Sequence, residues 1–134
     1  MIEINFPLFV RAKDSGEVSK FASIRELQVQ VERIDIENQE YEAWDRNGLP
    51  VCLRLQDPPI WIKLEFSTEG FAADRLRHAL REFANSVGVE LSDQLPVSEF
   101  ESAMELVRTE QEKKMLANSR IRRFFARAKH PLEK

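Results

Sequence analysis

The chain has 134 residues, 43% apolar and 32% charged, with a formal net charge of −3. That is enough apolar material for one globular domain with its own core, and too much for a disordered segment. One Cys and two His exclude a disulfide framework and leave too few ligands for a Cys/His structural zinc site.

No apolar run is long enough to span a membrane. The N-terminal MIEINFPLFVRAKD lacks the basic and apolar regions of a signal peptide, so a cytoplasmic compartment is expected. Charge is divided unevenly, with −10 on residues 1–112 and +7 on residues 113–134. The expected organisation is one α+β domain over 1–112. A basic helical segment over 113–134 follows, docked on that domain or on a partner.

Residues 2–11 alternate Ile2, Ile4, Phe6, Leu8 and Val10 against Glu3, Asn5, Pro7, Phe9 and Arg11. This period of two predicts a strand with the first set dry and the second wet. Pro7 cannot donate to a ladder, which places it at an edge or a bulge. Asp14-Ser15-Gly16 marks a turn, and Val18–Phe21 returns as a second strand. Ser23 and Glu26 have capping-box spacing. A helix of about two turns follows, burying Ile24, Leu27 and Val31, with Gln28 and Gln30 toward water.

The stretch YEAWDRNGLPVCLRL, residues 41–55, reads as a hairpin about Asn47-Gly48. A two-residue loop would set Glu42 against Leu53. A three-residue loop (Arg46, Asn47, Gly48) pairs Asp45 with Leu49, Ala43 with Val51 and Tyr41 with Leu53, so the apolar residues share one face. The second arrangement is expected, with Asp45 bonding turn amides. Asp57-Pro58-Pro59 breaks the sheet, and Ile60, Ile62, Leu64 and Phe66 line the next strand opposite Trp61, Lys63 and Glu65. The sheet then has an aliphatic face and a second face bearing Trp44, Cys52 and Trp61.

Ala72, Leu76, Ala79, Leu80, Phe83 and Val87 fall at helical spacing, and Gly88 sits at a C-cap position. That helix, residues 71–87, is expected to cover the aliphatic face. Ser98 and Glu101 repeat the capping-box spacing, and Phe100, Ala103, Met104 and Val107 continue as a helical stripe. Residues 109–114 are polar all round, as in a helix leaving its core or bridging to a partner. Asn118-Ser119 is an expected stop, with Ser119 capping a last helix through Arg127. The fold class is therefore α+β. It is an antiparallel sheet of about five strands with one helix on its aliphatic face and one or two C-terminal helices.

No motif in the chain names a reaction. Trp44 and Trp61 form either an exposed stacking surface or core beneath the late helices. Cys52 lies mid-strand without a His or helix start to activate it. Asp35, Glu37, Glu40, Glu42 and Asp45 match no calcium loop. They read as a solvated acidic edge, or as capture of a basic protein. His78 lies beside the apolar stripe of its helix, and His130 lies in the terminal KHPLEK.

The tail SRIRRFFARAKH is the sharpest signal. Ile121, Phe124, Phe125 and Ala128 share a helix face, while Arg120, Arg123 and Arg127 recur at three and four. Such a helix docks on its own acidic body, meets another protein or a second copy, or contacts lipid or nucleic acid. Nucleic acid is disfavoured by the negative charge of residues 1–112. The leading expectation is a non-enzymatic binding protein, an adaptor or a small acidic inhibitor of immunity type. It needs no cofactor or small-molecule ligand, and binds through Trp44, Trp61, Arg120, Arg123, Phe124, Phe125 and Arg127. The alternatives are a metal-assisted enzyme using carboxylates at 35–45, or a nucleic-acid accessory acting through the tail.

Overall fold

A computed structural model describes residues 3–67 and 73–129, with side chains as far as residue 118. The elements are β1 (Leu8–Ala12), β2 (Val18–Phe21), α1 (Ile24–Gln30), α2 (Arg33–Glu37), β3 (Tyr41–Trp44), β4 (Pro50–Leu55), β5 (Ile62–Phe66) and α3 (Ala73–Ser86). A 3₁₀ turn at Val97–Glu99 leads into α4 (Phe100–Lys129). The strands form one antiparallel sheet in the order β2-β1-β3-β4-β5. The class is α+β, as the sequence predicts. Ile2, Ala72 and His130 lie outside the described residues.

β1 begins at Leu8, after Pro7, whose missing N–H cannot join the ladder. Leu8 and Val10 are buried with Phe21, Leu27, Val31, Ile36, Ala43, Val51 and Ile62. The aliphatic face is thus covered by α1 and α2. The expectation that the helix at 71–87 covers it is corrected. Leu76, Leu80 and Phe83 of α3 pack with Phe9, Val18 and Trp44 on the opposite side, joined by Phe100, Met104 and Val107 of α4. Phe9, expected wet, is fully buried for that reason. A strand that alternates in sequence still has two dry faces when helices lie on both.

The Ser23 box forms. Ser23 Oγ accepts the Glu26 amide at 3.1 Å, and Glu26 Oε2 accepts the Ala22 amide at 3.0 Å. The short α2 was not apparent from periodicity, since only Ile36 in it is buried. The three-residue hairpin loop also forms. The Asp45 amide donates to Leu49 O at 2.8 Å, the Gly48 amide to Asp45 O at 3.0 Å, and Gly48 has φ +82°. Asp45 is fully buried, and its Oδ1 accepts the Asn47 and Leu49 amides at 2.9 and 3.0 Å.

Ser98 lies within the 3₁₀ turn rather than capping α4. The helix does not stop at Asn118-Ser119 and restart, but runs unbroken from Phe100 to Lys129. That segment contains no Gly or Pro, and Asn and Ser each disfavour a helix interior by only a few tenths of a kcal/mol.

Candidate interaction surfaces

Among the described side chains, the buried contacts of α4 end at Val107, followed by polar ones at Arg108 and Gln111 and by Lys114, whose ammonium lies beside Gly88. Phe100, Met104 and Val107 are buried to 0% exposure. One residue on, Arg108 fastens the helix to β2, an edge strand of the sheet. Its guanidinium donates to Val18 O at 2.7 Å, to Glu17 Oε1 at 2.7 Å, to Gln111 Oε1 at 2.8 Å and to Ser19 Oγ, and lies 5.5 Å from the Phe83 ring centroid. Lys20 adds ion pairs to Glu105 at 2.8 Å and Glu101 at 3.4 Å. The hydrogen bond to Glu105 holds its ammonium above the usual lysine pKa, in spite of partial burial.

Beyond Gln111 the helix leaves this support. Residues 112–118 are exposed, with Met115 at 64% and Leu116 at 59%. At 1.5 Å per residue, the 18 residues from 112 to 129 span about 27 Å. Arg120, Arg123, Phe124, Phe125 and Arg127 all lie on this part of α4, and their side chains fall outside the described residues.

The two Trp do not share a face. Trp44 pairs with Phe9 across β1 and β3 and is 2% exposed, so it belongs to the core under α3 and α4. Trp61 precedes β5 and packs half-buried against the opposite, aliphatic cluster, with the Arg33 guanidinium 5.5 Å from its ring centroid. The expected aromatic surface of Trp44, Cys52 and Trp61 is therefore not formed. Ile60 departs from its predicted stripe and is 47% exposed, because β5 begins only at Ile62.

The acidic residues at 35–45 are dispersed. Asp35 accepts the Tyr41 hydroxyl at 3.1 Å. Glu40 is held above the usual carboxylate range by its hydrogen bond with Asp35 and by the negative charges of Asp35 and Asp14. Burial, the bond to Asp35 and nearby carboxylates push the Tyr41 hydroxyl up to about 12. Glu42 instead pairs with Arg11 at 3.1 Å and Arg75 at 2.6 Å, while Asp45 closes the hairpin. Among the described residues, no three His, Cys, Asp or Glu side chains converge as metal ligands.

β3 and β4 are in register only at Ala43–Val51 and Trp44–Pro50, and a cleft of about 580 Å³ opens where they part. Tyr41 and Glu42 line one side, and Cys52, Leu53 and Arg54 the other, with no His among the lining residues. His78 pairs with Glu82 at 2.9 Å on the exposed side of α3. Across the ladder Cys52 stands opposite Glu65, whose carboxylate is taken by Arg54 and Lys63.

Arg108 carries no signal in the sequence, and Gln28, expected toward water, is half-buried against the sheet. Gln28 Oε1 accepts the Ile62 amide at 3.2 Å, which ties α1 to the other edge of the sheet. A polar side chain aimed at a strand edge leaves no periodic trace in a single sequence. No helix among the described residues is long and apolar enough to cross a membrane. Compared with protein-family models, curated proteins and solved structures, the chain finds no match in any of the three.

Proposed function

We propose that this chain is a non-enzymatic, cytoplasmic protein-binding domain, of the adaptor or small acidic inhibitor kind, that engages another protein through the projecting part of α4. One observation carries the reading: past its last buried residue, Val107, the helix continues and exposes Met115 and Leu116 to solvent. A solitary helix of this length is marginal in water, and an apolar contact would stabilise it. The +7 charge of residues 113–134 favours a groove with acidic walls. Apolar anchors would supply affinity and the Arg side chains orientation, the mode in which amphipathic helices bind grooves.

Affinity capture from native lysate tests this. Three baits are compared: the full chain, a chain ending at Glu112, and the full chain with Met115→Glu and Leu116→Glu. Val107 and Arg108 remain in all three, so the body keeps its anchors. Capture of one discrete protein by the unmodified full chain alone supports the proposal, and identical capture by all three removes it.

A further inference from the structure

β5 lies at the edge of the sheet opposite β2. The β4–β5 register and its flanking bonds (Ser67 amide to Pro50 O at 2.9 Å, Gln56 amide to Trp61 O at 2.8 Å) assign the odd-numbered backbone groups of β5 to β4. In an antiparallel ladder these directions alternate. The N–H and C=O groups of Ile62, Leu64 and Phe66 therefore point outward, along an edge that no described strand covers. Gln28 takes the Ile62 amide, which also marks the direction in which these groups point.

The side chains of this edge are self-complementary. Lys63 and Glu65 stand on one face, 55% and 39% exposed, and Leu64 and Phe66 pack into the aliphatic cluster on the other. We infer that β5 is a homodimer edge, pairing antiparallel with β5 of a second copy about a two-fold axis at Leu64. In that register Lys63 of each copy stands opposite Glu65 of the other. Moving the axis by one residue sets Lys63 against Lys63, or Glu65 against Glu65. Like charges directly opposite are destabilising, so charge selects one register.

The charges within one chain favour the same outcome. Arg54 stands directly opposite Lys63 in the β4–β5 register, and both share Glu65, at 3.0 and 2.9 Å. These two cations hold the Glu65 carboxyl below the usual range, Lys63 contributing most. A second copy supplies Lys63 with a carboxylate on its open side. In this register Phe66 C=O replaces Gln28 Oε1 as acceptor of the Ile62 amide, and the new ladder has six hydrogen bonds, two at the Leu64 pair and two at each Ile62–Phe66 pair.

Apolar surface lies at one end of this edge. Leu55 pairs with Ile62, and Ile60 precedes Trp61; both are exposed. Val29 and Ile34, exposed at 78% and 59%, follow in sequence the residues Gln28 and Arg33 that reach Ile62 and Trp61. The surface is separate from the projecting part of α4 and does not depend on what that helix binds.

Sedimentation equilibrium of the full chain tests the inference through charge reversal. The unmodified chain is expected to dimerise. Lys63→Glu and Glu65→Lys are each expected to weaken the dimer about tenfold, since each sets two like-charge pairs across the axis. The doubly substituted chain restores both pairs and is expected to return near the original affinity. Amide exchange gives a second readout on the unmodified protein, with Leu64 and Phe66 slowing as concentration rises. A monomer at every soluble concentration, a dimer indifferent to the single reversals, or no rescue by the double reversal overturns the inference.

Discussion

Phe9 and Trp44 stand directly opposite each other on β1 and β3, both beneath α3 and α4. This pair joins the sheet to the helical layer, and it separates the two Trp residues in kind. Phe9→Ala is expected to cost about 3–5 kcal/mol in urea unfolding, as for a large core side chain. Acrylamide should quench the fluorescence of Trp61 and leave that of Trp44 nearly untouched. The comparison needs only single Trp→Phe variants, which report each indole separately.

The hairpin turn depends on Asp45. Asp45→Ala leaves two amides in the turn without their acceptor and is expected to cost about 2 kcal/mol or more. Asp45→Asn retains the acceptor at Oδ1 and places an amide at Oδ2, which is buried and has no partner among the described residues, so its cost should be distinctly smaller. Chemical denaturation of the two variants side by side measures the difference. At the neighbouring Gly48, an added Cβ would lie 2.9 Å from Ala73 Cα in a backbone at φ +82°. Gly48→Ala is therefore expected to destabilise through both strain and contact with the start of α3.

Arg108 is expected to hold α4 against β2. Arg108→Ala removes bonds to Glu17, Val18 and Ser19 and should cost about 1.5–3 kcal/mol. Lys113, whose pairing with Glu110 is exposed, should change stability by less than about 0.5 kcal/mol when made Ala. Thermal melts of both variants separate an anchor from a solvated pair.

Tyr41 is the only tyrosine, so its ionisation can be followed by ultraviolet absorbance alone. Its midpoint in the folded protein is expected near 12, returning toward 10 in denaturant. Because the folded value is raised, the folded state holds a proton that the unfolded chain releases above pH 10. Stability should then fall as pH rises from about 10 to about 12. Tyr41→Phe should flatten this part of the alkaline stability curve.

The hairpin was legible because alternation, an Asn-Gly turn and an Asp at the right position all favour the same register. The stripe of α3 was legible for a similar reason, but not the face that it covers. Alternation in β1 separates two sets of residues without saying which set is dry, and Phe9 was misread on that account. The pairing of Trp44 with Trp61 assumed that strand alternation runs back through residue 61, whereas β5 starts one residue later. Gln28 and Arg108 act on strand edges distant in sequence, and no local pattern reports such contacts. The buried stripe of α4 ends at Val107 in the sequence as in the fold, whereas the expected stop at Asn118-Ser119 does not occur.

The proposed contact of α4 with another protein runs through the exposed residues that follow Gln111. A photo-crosslinking residue at position 116, with a control at the exposed Ser102 on the body, tests it most directly. The full chain is irradiated in its native lysate. One discrete adduct with a different protein is expected from position 116 and none from position 102. Adducts that are absent at 116, or the same from both positions, would contradict that contact.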